Sequence, residues 1–180
     1  MFAIVVKKLS IFAVAALMVG FFVSLQASPV GAVATCNGLA ATITGSGIIN
    51  GTGGADVIVG SNSSDTIFGN GGNDVICALD GNDTVEGNQG RDTIFGGEGT
   101  DSIWGEGNGL TVTGGDDQLH GGDGNDTIHG EVGDDTIWGD AGDDTLIGGD
   151  GGDVFKGGAD YDSCEGDGGV DSFTNCEVVL

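Results

Sequence analysis

The chain has 180 residues, with 28 acidic side chains against 4 basic ones and a formal net charge of −24. This charge excludes a surface that binds nucleic acid or anionic lipid, and it favours the attraction of cations. The 39 glycines and the small aromatic fraction are otherwise typical of a disordered chain. Only a regular pattern along the chain can overrule that interpretation.

Residues 1–34 have the three regions of a secretory signal peptide. Two lysines precede an apolar run (residues 9–25), and small residues follow up to a predicted cleavage site after Ala34. An uncleaved anchor is the alternative, because 17 apolar residues nearly span a bilayer. Lipid attachment at Cys36 is disfavoured because Thr35 precedes it. We therefore expect a secreted protein, and cleavage leaves two basic residues against 28 acidic ones, a net charge of −26.

The mature chain contains four cysteines, an even number that favours disulfides in an exported protein. They allow three pairings. Their positions favour Cys36–Cys77 at the front of the chain and Cys164–Cys176 at the back. Residues 35–50 are too few for more than an N-terminal cap, although 42–50 resembles a decayed repeat unit.

Residues 51–174 divide into thirteen nine-residue units, six before and seven after an interruption at 105–111. Gly fills the first position in 11 units and the fourth position in 11, and the eighth position is apolar in all thirteen. A disordered acidic tract has no reason to keep such a register. The sixth position is always aspartate: Asp56, Asp65, Asp74, Asp83, Asp92, Asp101, Asp117, Asp126, Asp135, Asp144, Asp153, Asp162 and Asp171.

Each unit combines a tight turn with a short strand. The GGxGxD portion supplies the glycines that a turn requires, and the three residues after it favour a strand because Val or Thr fills nine of the thirteen seventh positions. The middle residue of such a strand faces opposite to its neighbours, so we expect the eighth position to point inward. Two units then make one coil of an all-β fold, with successive units on opposite sheets. Residues 175–180 are predicted to cap its end.

Units such as GGDGNDTIH (121–129) match the GGxGxDxUx repeat, and the chain resembles the RTX (repeats-in-toxin) family of calcium-binding proteins. The resemblance implies a parallel β-roll, a right-handed two-sheet β-helix, with Ca²⁺ ions between stacked turns. Thirteen turns on two edges give at most 13 − 2 = 11 stacked pairs, and the interruption and the irregular last units reduce the expected number of ions to about 8–10. Aspartates and turn carbonyls from units eighteen residues apart would hold each ion. It implies one edge formed by Asp56, Asp74, Asp92, Asp117, Asp135, Asp153 and Asp171, and another formed by Asp65, Asp83, Asp101, Asp126, Asp144 and Asp162.

Calcium is expected to be necessary for folding. A single inward row is a small core against the conformational entropy of ordering the repeats, and stacking brings carboxylates together. Ligands that are all oxygen atoms suit Ca²⁺ better than Mg²⁺ or Zn²⁺. Binding and folding should therefore be one event.

Other functions find less support in the sequence. No HExxH or GxSxG motif occurs and no enzyme domain has room, so we expect no enzymatic activity. His120 and His129 both occupy ninth positions in successive units, which places them on opposite sheets and argues against a zinc pair. Threonine is absent from the third turn position, so a regular ice-binding row is not favoured.

Four outward aromatic residues give the alternative function. Phe68 and Trp104 are predicted on one sheet, and Phe95 and Trp138 on the other. Exposed aromatic rings mark surfaces for glycans or protein partners. A calcium-dependent adhesion or carbohydrate-binding module with a cell-surface partner is thus the second hypothesis, beside a calcium-binding protein with no membrane contact beyond its signal peptide.

Overall fold

The computed structural model describes residues 33–107 and 114–179, and every regular element in these ranges is a β-strand. The predicted signal peptide lies almost entirely outside the described residues. Within them no helix is present that could cross a bilayer. The strands are β1 (Thr35–Cys36), β2 (Leu39–Ala40), β3 (Ile43–Thr44), β4 (Ile48–Asn50), β5 (Val57–Ser61), β6 (Thr66–Gly71), β7 (Val75–Asp80), β8 (Thr84–Gln89), β9 (Thr93–Glu98), β10 (Ser102–Trp104), β11 (Gln118–Asp123), β12 (Thr127–Val132), β13 (Thr136–Ala141), β14 (Thr145–Asp150), β15 (Val154–Ala159), β16 (Ser163–Glu165), β17 (Ser172–Thr174) and β18 (Val178–Val179).

The strands form two parallel sheets of eight strands each, which confirms the predicted all-β roll. The odd sheet contains β3, β5, β7, β9, β11, β13, β15 and β17 in that order, and the even sheet contains β4 to β18 likewise. Successive strands therefore alternate between the sheets, so two nine-residue units complete one coil.

The register between coils follows the repeat. Neighbouring strands in a sheet are eighteen residues apart, as in the pair Ile76 and Ile94. Across the interruption the offset becomes 25, as in the pairs Ile94 with Leu119 and Ile103 with Ile128. The seven additional residues thus move no strand to the other sheet.

The core is the inward row of eighth-position side chains, as predicted. Twelve of its members have no exposed surface: Ile58, Ile67, Ile76, Val85, Ile94, Ile103, Leu119, Ile128, Ile137, Leu146, Phe155 and Cys164. Phe173 continues the row and is partly buried. At the other end the buried Ile49 and the partly buried Ile43 extend it. Coiling therefore begins before Gly51.

Both predicted disulfides are formed. Cys164 lies in the inward row and bonds Cys176, which packs against the end of the core. Cys36 belongs to a two-stranded antiparallel hairpin, β1–β2, and bonds Cys77 at a ninth position. Because ninth positions point outward, this bond holds the hairpin against the outer face of the odd sheet, where Val59 is consequently buried.

Candidate metal centre

The sixth-position aspartates form two rows along the edges where the sheets meet. The first rim contains Asp56, Asp74, Asp92, Asp117, Asp135, Asp153 and Asp171, and the second contains Asp65, Asp83, Asp101, Asp126, Asp144 and Asp162. From the second aspartate of each row onward, Oδ1 accepts a hydrogen bond from the backbone N–H of the aspartate one coil earlier. Asp56 N donates to Asp74 Oδ1 at 2.8 Å, and Asp92 N donates to Asp117 Oδ1 at 2.8 Å across the interruption. All but Asp171 are buried.

The second carboxylate oxygen has a different environment. In ten aspartates Oδ2 is buried and has no hydrogen-bond partner within the described chain: Asp74, Asp83, Asp92, Asp101, Asp117, Asp126, Asp135, Asp144, Asp153 and Asp162. A buried charged oxygen without a partner carries a large desolvation penalty. A repeated series of such atoms is a donor set that a cation would satisfy.

Backbone carbonyls converge on the same places. A Cβ on Gly69, at position one, would lie 2.6 Å from Asp74 Oδ2 and 2.5 Å from the carbonyl oxygen of Gly87 in the next coil. These two oxygens therefore face one narrow space that glycine keeps open. Among the described residues at position one, Ala78 alone has a Cβ, and it is fully buried.

The turn conformation directs further carbonyls between the coils. Position four has a positive φ in most turns, 111° at Gly72 and 131° at Gly90, which favours glycine. A Cβ on Gly90 would lie 1.8 Å from the carbonyl oxygen of Gly72, so that oxygen points into the gap between two stacked turns. Carboxylate and carbonyl oxygens in such a gap are the ligands that Ca²⁺ prefers.

Within residues 33–107 and 114–179 no three His, Cys, Asp or Glu side chains are close enough to share a metal ion. An ion on either rim would accordingly take most of its ligands from the backbone. This requirement suits Ca²⁺, which accepts six to eight oxygen ligands in flexible geometry. The four cysteines are used in disulfides.

Burial perturbs the acidity of the rims. Desolvation raises the pKa of Asp92, Asp126 and Asp135 to about 7, although backbone hydrogen bonds oppose the shift. It raises the pKa of Asp117 to about 9, with the charge of Glu106 adding to the effect. At neutral pH the folded rims would therefore be destabilised by ionised carboxylates that have no partner.

The first aspartate of each rim differs from the rest. Asp56 Oδ2 accepts hydrogen bonds from the backbone N–H and the hydroxyl of Thr52, both at 2.8 Å, and these bonds lower its pKa. Asp65 Oδ2 is bonded in the same way to Ser61. Each of these two carboxylates thus has its Oδ2 hydrogen-bonded to the position-two residue of its own turn. The remaining eleven are stronger metal-ligand candidates.

Two glutamates that the repeat pattern missed also lie on the rims. Glu177, beyond the last repeat, accepts a hydrogen bond from Asp162 N at 2.7 Å and so ends the second rim. Glu106 is buried beside the first rim at the interruption, where Gly115 N donates to it at 2.7 Å. Neither residue belongs to the aspartate series, and the only sequence signal is an acid next to a break in the repeat.

The residues of the turn that contains Glu106 are not contiguous in the sequence. A Cβ on Gly105 would lie 2.4 Å from Asp117 Oδ2 and 2.7 Å from the Gly130 carbonyl oxygen, as in every regular turn. Gly105 and Glu106 therefore take positions one and two of the turn that ends at Asp117. The extra residues enter after Glu106, inside the turn.

The four outward aromatic residues lie on the sheets as predicted, and three of them stack with the histidines, whereas Phe68 has Asn50 and Glu86 as its neighbours in the sheet. His120 lies between Phe95 and Trp138, with ring centroids 4.9 and 4.1 Å away and planes within 18° and 6°. Lys156 Nζ covers the other side of Trp138, 4.4 Å from the ring centroid. On the even sheet Trp104 stacks on His129 at 5.5 Å. In the column of Phe95, His120 and Trp138 the rings cover one another, whereas stacking on a sugar requires open ring faces.

The nine-residue units match a known protein family. The model described as an RTX calcium-binding nonapeptide repeat (4 copies) matches residues 43–76, 50–85, 78–108, 111–146 and 138–173. A search of curated proteins gave no match.

Proposed function

The chain belongs to the RTX calcium-binding nonapeptide-repeat family, and from that premise we propose that it is a secreted protein that folds when Ca²⁺ fills its two rims. The observation that carries the proposal is the series of ten buried Oδ2 atoms without a partner. Each belongs to a turn that stacks on another turn. Calcium would be held by these oxygens together with carbonyl oxygens of positions such as Gly72 and Gly87.

The repeat links the ion to the core through adjacent residues. Asp135 is a rim residue, and Ile137, two residues later, is fully buried between the sheets. An ion that fixes the turn therefore also fixes the strand that follows. Without the ion, the same turn brings ionised carboxylates into a desolvated row. Binding free energy would thus become folding free energy.

The number of ions should be about 8–10. The loss of regularity at the first turn of each rim supports a number below that of all stacked turns, since Asp56 and Asp65 have their Oδ2 atoms engaged by Thr52 and Ser61. In this proposal the repeats have a structural role and no enzymatic activity of their own.

Secretion is part of the proposal. Residues 1–34 would be removed as a signal peptide, and 35–50 and 175–180 would protect the two ends of the roll. Two disulfides support an oxidising destination. Extracellular calcium would then drive folding after export, while a low calcium concentration inside the cell would keep the chain unfolded.

Calorimetric titration and circular dichroism test the proposal together. Protein recovered from the medium of an expressing culture is treated with chelator and then titrated with Ca²⁺. We expect a coil spectrum in chelator, a strand spectrum in calcium, and saturation of binding and folding at the same calcium addition. A strand spectrum in chelator, or heat of binding without a spectral change, would refute the coupling.

A further inference from the structure

Glu106 differs from every other residue at its turn position on the first rim. In the other coils Thr52 and Asn70 are exposed at position two, and Glu131 is half-exposed, whereas Glu106 is only 2 % exposed. The Glu106 side chain is directed toward the rim, and the regular repeat gives no reason for a carboxylate there.

Its hydrogen bonds replace bonds of the regular turn. Elsewhere the position-four N–H donates to the position-three carbonyl of the next coil, as Gly133 N does to Asp150 O at 3.0 Å. At the interruption Gly115 N donates to Glu106 Oε1 at 2.7 Å, and Val132 N donates to Oε2 at 3.2 Å. Each carboxylate oxygen keeps a further lone pair after accepting one bond.

The surroundings of Glu106 are negatively charged. The carboxylates of Asp92, Asp117 and Asp135 all interact with its charge. Asp117 Oδ2, in a side chain 1 % exposed, has no partner and lies against Gly105, the residue before Glu106. Among the described residues no salt bridge reaches Glu106, and Arg91 is paired with Asp116 at an exposed position.

We propose that Glu106 and Asp117, with backbone carbonyl oxygens, form a calcium site at the interruption that differs from the other repeat sites by one additional carboxylate and retains its ion longest. This inference rests on the proposed function. The repeat sites draw their side-chain ligands from the sixth-position series alone, and the affinity of a calcium site rises with the number of charged ligands. The place where the repeat is broken would then be the most firmly held part of the first rim.

A chelator chase of the calcium-loaded protein tests the site. An excess of a calcium-sensitive fluorescent chelator is mixed with loaded, folded protein, and the ions released in each kinetic phase are counted. We expect one ion in a slow phase for the wild type. In Glu106→Gln this ion should leave at least about tenfold faster, the scale expected when one ligand contact is lost. Glu131→Gln is the matched control, because it removes the same charge from position two of the next turn, and it should keep the slow ion.

Three outcomes separate the explanations. A slow ion that persists in Glu106→Gln overturns the site and leaves Glu106 with a purely structural role. A wild type that binds no calcium overturns the proposed function itself. If Glu106→Gln does not load because it fails to fold, Asp117→Asn decides, since asparagine keeps the Oδ1 acceptor for Asp92 N. Retention of the slow ion in that variant would also overturn the site.

Discussion

Replacing one rim carboxylate should change the stability of the roll in opposite directions with and without calcium. Asp135→Asn keeps the Oδ1 that accepts a hydrogen bond from Asp117 N at 2.8 Å, and it removes the charge from an Oδ2 that has no partner. Burial raises the pKa of Asp135 from 3.8 to about 7. The charge therefore penalises the calcium-free fold, whereas it would serve the loaded fold as a ligand.

The size of the penalty follows from the shift. A shift of about three units costs ~4 kcal/mol when the group is ionised, at ~1.4 kcal/mol per unit. Because the folded pKa is raised, the penalty is absent below the unfolded pKa of about 3.8 and grows until the pH passes about 7. Asp135→Asn should thus favour the calcium-free roll by up to ~4 kcal/mol at neutral pH.

The assay is folding monitored by circular dichroism against free calcium, with calorimetry to count ions. Asp135→Asn should bind at least one ion fewer than the wild type, and its loaded form should unfold at a lower denaturant concentration. Asp56→Asn is the control, because Thr52 already satisfies Asp56 Oδ2. An unchanged ion count in Asp135→Asn, or an equal loss in Asp56→Asn, would contradict the assignment of the rim atoms.

The remaining predictions concern pH and the position-one glycines, which leave a narrow space beside each Oδ2 that we call the glycine cradle. Acidification from pH 7 to about 5 should release calcium, because protons compete with Ca²⁺ for rim carboxylates whose pKa values are about 6 to 7, such as those of Asp126 and Asp144. In chelator the same acidification should favour strand structure, because protonation removes the penalty for burying these carboxylates. A circular dichroism signal that does not change with pH would contradict this prediction. Gly130→Ala should destabilise the loaded roll by ~1–3 kcal/mol in denaturant unfolding, since its Cβ would lie 2.4 Å from Asp135 Oδ2, whereas Gly54→Ala meets open space and should be nearly neutral. Equal effects of the two substitutions would argue against the cradle.

Much of this architecture was predictable because the repeat is strict. Aspartate at every sixth position and an apolar residue at every eighth fix which side chains face the rim and which face the core. The alternation of sheets follows from the nine-residue period, and it correctly separates Phe95 from Trp104. The disulfide partners followed from the distance between the two ends of the chain.

The features that escaped prediction depend on particular side chains. A gap of seven residues in a glycine-rich turn can be placed before or after Gly105 with equal agreement, and only the contact with Asp117 Oδ2 decides. The hydroxyls of Thr52 and Ser61 at position two change what their aspartates need. The burial of Glu106 depends on backbone N–H groups that the insertion leaves without their usual partners.

The stacks of aromatic and histidine rings were also not predicted from the sequence. His120 and Phe95 are 25 residues apart, and they meet because the strands on either side of the interruption keep their sheets and their register. The sequence showed that the aromatic side chains point outward. It did not show that Phe95, Trp104 and Trp138 would each stack on a histidine ring.

The eighteen-residue offset between neighbouring strands has a consequence for how such a chain can change in length. Each coil contacts the coil before it and the coil after it, so the roll behaves as a one-dimensional array. Duplication or loss of one whole coil would leave every downstream strand on its own sheet. Duplication or loss of half a coil would exchange the two sheets for everything that follows, and between Phe95 and His120 it would carry the second ring to the far side of the molecule. Growth of this protein by complete coils is therefore tolerated, while growth by single repeat units is penalised.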